Sequence, residues 1–252
     1  MAIADKLTQI ANNVPLVYDA GREKGKAEGG DSWYDTFWDS YQQNGNRESY
    51  QGAFSREGWN VITFKPKYNM SPANCAQMFQ SCNITDLEKA LQDAGVVLDT
   101  SNSTAFTQFI QSSEVAILPK IDLTKSANTS NAFSTNVIQK IEELVVRETT
   151  PFSKTFDNAF NLTHMIVTGT IGQNGFGVSS STKLDKVSIE SIINSLSTTT
   201  TGLSVTLSLT AVNKAFETSA GANDGSTSAE WLSLIATKTD TTQQYYWVIS
   251  LL

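Results

Sequence analysis

The sequence predicts an α+β protein: a short, irregular solenoid between an aromatic N-terminal cap and an α/β C-terminal cap, preceded by a separate N-terminal helix. Three observations predict it. Between residues 78 and 171 a two-residue apolar anchor recurs four times, as Met78-Phe79, Phe109-Ile110, Ala132-Phe133 and Ala159-Phe160, each time leading into a short apolar run. Successive anchors lie about 23 to 31 residues apart, a period suited to solenoids that stack one strand per turn. A spacer at residues 21–30 (GREKGKAEGG) holds no apolar residue larger than Ala, and so separates residues 1–20 from the rest of the chain.

Residues 1–20 read as an amphipathic helix. Ile3, Leu7, Ile10, Val14 and Val17 alternate steps of four and three, the spacing of a heptad seam, although Pro15 kinks it. A helix this short needs a surface to pack on. That surface is either its own domain or another molecule, and the spacer after it favours docking or self-association. Residues 31–72 form the N-terminal cap. Asp31 or Ser32 caps a helix carrying Trp33, Phe37 and Tyr41, and Pro66 and Pro72 keep the following connection extended.

Residues 73–171 are the predicted solenoid. A helix over 85–94 has Thr85 as its cap and is stopped by Gly95. Val96-Val97-Leu98 reads as a strand, as do 117–121, 141–146 and 165–171. Residues 172–252 form the C-terminal cap. In it Gly172, Gly175 and Gly177 mark a loop, and Val187, Ile189, Ile192, Ile193 and Leu196 a helix. Leu203, Val205 and Leu207 alternate as a strand; Thr210 caps a short helix, Trp231 to Ile235 lie on another, and 245–249 is a last strand.

Composition narrows the function classes. Charged residues make up only 17% against 40% hydrophobic, so Ser, Thr, Asn and Gln must supply the polar surface. A net charge of -7 argues against nucleic acid, which needs a basic face. Cys75 and Cys82 are too few for a disulfide framework or a metal site and read as buried thiols. The first residues lack the pattern of a secretion signal, and no apolar run is long enough to span a bilayer, so no membrane insertion is expected.

The sequence predicts no catalytic, cofactor-binding or metal-binding residues. Gly30-Asp31-Ser32 matches an esterase nucleophile motif, but the single histidine, His164, lacks the Asp three residues before it that such enzymes carry. The glycine-rich segment 169–177 lacks both the phosphate-loop Lys and dinucleotide-binding spacing. Glu142 and Glu143 are adjacent, so on a regular strand they point to opposite faces and do not pair. Trp231, Tyr245, Tyr246 and Trp247 form a candidate recognition surface for glycan or protein; burial in the cap is the ordinary alternative for each.

Several blocks resemble the minor structural proteins of tailed phages and prophages of Gram-positive bacteria that bear BspA-like leucine-rich repeats. The opening MAIADKLTQIANNVPLVYDAG looks like their N-terminal segment. The blocks FWDSYQQNG at 37–45 and Trp59-Asn60 with FKPKY at 64–68 look like the next two. Met78-Phe79 and Ala159-Phe160 match the repeat anchor, and residues 183–216 look like the C-terminal block. The resemblance implies a leucine-rich-repeat-like solenoid, short because the spacings drift. It also implies a non-enzymatic virion protein associated with tail, baseplate or fibre. Partners would be other virion proteins held through Ile3, Leu7, Ile10, Val14 and Val17, a second copy of the chain, and a host-surface glycan or protein. The alternatives are a tail-associated hydrolase of cell-wall glycan and a BspA-type surface adhesin.

Overall fold

The computed structural model describes residues 69–82, 84–200, 202–216, 228–240 and 246–252. The N-terminal helix with Ile3, Leu7, Ile10, Val14 and Val17, the spacer, nearly all of the N-terminal cap and Tyr245 lie outside the described residues.

The architecture is mixed α/β, with four helices and two small parallel sheets among the described residues. Helix α1 (Leu87–Ala94) starts at Asp86, not Thr85, because the Asp86 carboxylate accepts the Lys89 N–H at 2.8 Å. It ends as expected at Gly95, in the left-handed conformation at φ 65°. Strands β1 (Ile117–Leu118) and β2 (Ile121–Asp122) follow, then β3 (Lys140–Val146) and β4 (His164–Gly169). β1 and β2 are one strand interrupted at Pro119, whose missing N–H breaks the ladder. Both pair in parallel with one edge of β3, and β4 takes the other edge. Val96-Val97-Leu98 does not form a strand; only Leu98 bridges, to Met70.

The turns between these elements stack too. The Cys75, Gln77 and Phe79 N–H groups donate to the carbonyls of Ala105, Thr107 and Phe109 at 2.8–2.9 Å. Gln108 and Ile110 donate in the same way to Ser130 and Ala132, and Asn131 and Phe133 to Ser153 and Thr155. Each of these turns reverses through a polar residue with positive φ: Gln77, Gln108, Asn131 and Lys154, at 53–57°. That conformation is costly for a side chain, and the bonds to neighbouring turns hold it in place. Side chains repeat the register, with Gln77 Nε2 donating to Gln108 Oε1 at 3.0 Å and Gln80 Nε2 to Gln111 Oε1 at 3.3 Å.

Inside the turns runs a column of phenylalanines. Phe79–Phe109, Phe109–Phe133, Phe133–Phe156 and Phe156–Phe176 have ring centroids 5.5, 6.4, 5.3 and 5.4 Å apart. Three of the expected anchor aromatics stand in it. The fourth does not: Phe160 is 51% exposed, and Phe156, four residues earlier, takes the buried place.

The C-terminal part holds β5 (Gly177–Val178), α2 (Lys186–Asn194), β6 (Leu203–Leu207), α3 (Leu209–Ala215), α4 (Ala229–Thr239) and β7 (Trp247–Leu251). The three strands form a second parallel sheet in the order β5-β6-β7. β5 has only two residues and no periodicity by which to find it. Asp185, Ser208 and Ser228 cap the three helices, each accepting a backbone N–H. One contiguous apolar core runs from Met70 to Trp247.

Candidate functional site

The outward face of the first sheet concentrates the charged groups. On β3, Ile141 and Leu144 are both buried although they are three residues apart. Strict alternation would forbid this, but the β3–β4 register shifts between them. Pro119-Lys120 lies opposite on the other edge, between the pairs Leu118↔Ile141 and Ile121↔Leu144. Glu142 and Glu143 are both left half-exposed, which corrects the expectation that they would point to opposite faces.

Their partners differ. Glu143 meets Lys120 Nζ at 3.0 Å and accepts the Thr168 hydroxyl at 2.8 Å. Thr168 first, then Lys120, hold its carboxyl below the usual range. Glu142 is paired with Lys140 and hydrogen-bonded to Glu88 of α1. Burial, the Glu142 hydrogen bond and the Glu142 charge push Glu88 up; Gln92 Nε2 donates to Glu88 Oε1 at 2.9 Å. Further along the face, His164 Nδ1 lies 2.7 Å from Asp185 Oδ2. Burial opposes the charge on Asp185, but the Ser188 hydroxyl, His164 and the Ser188 N–H outweigh it and hold this carboxyl low.

A groove of about 480 Å³ opens beside this row, between α1, residues 96–101 and residues 119–122. Leu91, Val96 and Leu98 form its buried floor, and Val97 stands 58% exposed at its lip. Glu88, Asp99 and Asp122 carry its negative charge; Lys120, already paired with Glu143, is the cation among its lining residues.

These groups are poorly arranged for hydrolysis. Glu88 and Glu142 touch through a hydrogen bond, whereas glycosidase carboxyl pairs stand about 5–5.5 or 6.5–9.5 Å apart. Ser188 donates to Asp185 at 2.5 Å, not to His164, and is fully buried, so no nucleophile–base pair forms. Among the described residues no three His, Cys, Asp or Glu side chains come together to hold a metal. Cys75 and Cys82 are buried free thiols, pushed by burial up to about 12 and about 11.

Two members of the candidate aromatic surface, Trp231 and Trp247, are not on the outside: each is 2% exposed. Trp231 packs on Phe216 at 5.3 Å between ring centroids, and Trp247 Nε1 donates to the Ser197 carbonyl at 2.8 Å. Both join the core because α4 and β7 each have one face turned inward; Tyr246 is half-buried. No helix among the described residues is long and apolar enough to cross a membrane. Compared with known proteins, the chain matches no family model, no curated protein and no solved structure.

Proposed function

We propose that the chain is a non-enzymatic structural protein of a phage particle, associated with tail, baseplate or fibre. Its middle is a short, irregular leucine-rich-repeat-like solenoid that presents a binding face to the host surface. Residues 1–20 attach it to other virion proteins or to a second copy through Ile3, Leu7, Ile10, Val14 and Val17. The observation that carries the platform reading is the parallel stacking of successive turns, from the Cys75–Ala105 bond through β3 and β4, with a polar face and a groove held outward. The placement in a particle rests on the resemblance of the blocks at 1–21, 37–45, 59–68 and 183–216.

The test is cosedimentation of the full chain with purified Gram-positive cell walls, with reducing ends assayed in the supernatant. The expected result is binding without release of reducing ends. Release that Glu88→Gln abolishes would replace this reading with a cell-wall hydrolase.

A further inference from the structure

We propose that the groove beside α1 binds an extended, lysine- or arginine-bearing peptide segment of a partner protein. This rests on the reading of the chain as a binding platform and adds the chemistry of the partner.

Two independent features lead to it. The first is a gap in the backbone ladder. The edge of β1 and β2 facing away from β3 meets the preceding turn at its two ends. The Ala116 and Ile117 N–H groups donate to the Thr85 carbonyl at 2.8 and 3.2 Å, and the Asp122 N–H donates to Thr100 Oγ1 at 2.7 Å. Between Ile117 and Asp122 no hydrogen bond among the described residues joins this edge to that turn. The reason is that the preceding turn runs here as helix α1 and not as a strand. The chain along this gap is extended on both sides of Pro119-Lys120, so an extended peptide can lie beside it, although Pro119 has no N–H to give to a ladder.

The second feature is charge. Glu88, Asp99 and Asp122 rim the groove, and Lys120 is neutralised by Glu143. Asp122 accepts the Thr124 N–H and hydroxyl, and Asp99 accepts the Ser101 N–H. Both carboxylates are thereby fixed at the rim with capacity for further donors. Val97 and Pro119 supply the apolar contact for a side-chain stem. A cationic side chain that lays its methylenes on Val97 and its charge against Asp99 or Asp122 uses every feature of the groove.

The experiment is fluorescence anisotropy of the full chain at low salt, with a labelled octapeptide alternating lysine and threonine against one alternating glutamate and threonine. The triple variant Glu88→Gln, Asp99→Asn, Asp122→Asn is compared with a control in which Glu114, Asp157 and Glu190 are neutralised. Each removes three negative charges from the -7 of the chain and leaves -4. Binding of the lysine peptide is expected to weaken about tenfold in the groove variant, and little in the control. Val97→Lys, at an exposed position that tolerates it, is expected to weaken binding as well. Equal losses in both triple variants, or an unaffected Val97→Lys, would overturn the proposal. So would self-association that Val97→Lys abolishes, which would assign the groove to a second copy. A chain that sediments with cell walls yet ignores the lysine peptide loses this proposal alone.

Discussion

At the scale of single residues, the places that set the register are those where one turn presses on the next. A side chain at Gly169 would place its Cβ 1.9 Å from the Val146 carbonyl oxygen, and one at Gly175 would meet the Phe152 oxygen at 2.1 Å. Both glycines have φ near 90°, so they are required twice over, for conformation and for closeness. The aromatic column makes the complementary demand for bulk. Phe133 touches Phe109 and Phe156 and is fully buried, so Phe133→Ala opens a hole in the middle of the stack. The expected cost is about 3–5 kcal/mol. Phe160→Ala, at the half-exposed position that the anchor pattern favours, is expected to change stability by no more than about 0.5 kcal/mol. Urea unfolding of the two variants checks this, and a larger loss from Phe160→Ala would return that residue to the core.

At the scale of elements, helix α2 solves an edge problem on the β4 side of the first sheet. An open parallel strand presents unpaired N–H and C=O groups that invite further pairing. α2 covers the free edge of β4 with serines on one face. The Met165 N–H donates to Ser188 Oγ at 2.8 Å and the Val167 N–H to Ser191 Oγ at 3.1 Å, while Ser195 Oγ donates to the Val167 carbonyl at 3.2 Å. The helix is in turn fixed to α4 by the ion pair of Lys186 with Glu230, and Lys238 donates to the carbonyls of Asn194 and Leu196 beyond its last turn. Ser188→Ala leaves the buried Met165 N–H without an acceptor, at a cost of about 1–3 kcal/mol. For a domain of this size that is a melting temperature lowered by about 2–12 °C, measurable by calorimetry. An unchanged melting temperature would mean that the edge is not held by this hydroxyl. The strands and α2 are legible in the sequence because Leu144 and Val146, Met165 and Val167, and Ile189, Ile192 and Ile193 stand at strand or helix spacing. The serines are not, because Ser188, Ser191 and Ser195 carry no hydrophobic signal and look like the loop content of a Ser-rich chain. The slip that turns Glu142 and Glu143 the same way is hidden for another reason. It shows only against β4, where Ile141 pairs with Met165 but Leu144 with Val167, and single-strand periodicity does not contain that neighbour.

At the scale of the whole molecule, the polar face couples α1 to the sheet through a contact whose sign depends on pH. Glu88 faces Glu142 across from α1, with Lys140 beyond Glu142, Asp86 at the helix start and Gln92 one turn on. The first turn of a helix favours a negative charge, yet burial and Glu142 win and raise the carboxyl above its ordinary value. A raised acid binds its proton more tightly in the folded state. Its contribution to stability is therefore complete below the unfolded value of 4.5 and is lost as pH rises through the folded value. Glu143 and Asp185, both held low, act in the opposite sense: their contribution is present at neutral pH and lost as pH falls through their folded values. Glu88→Gln removes only the first effect, keeping a neutral donor for Glu142 in place of the protonated acid. The difference in melting temperature, variant minus wild type, is accordingly expected to be near zero at pH 4, where Glu88 is protonated, and to grow positive toward pH 7. Melting curves across that interval decide it. A difference that stays constant with pH would show that Glu88 and Glu142 do not share a proton.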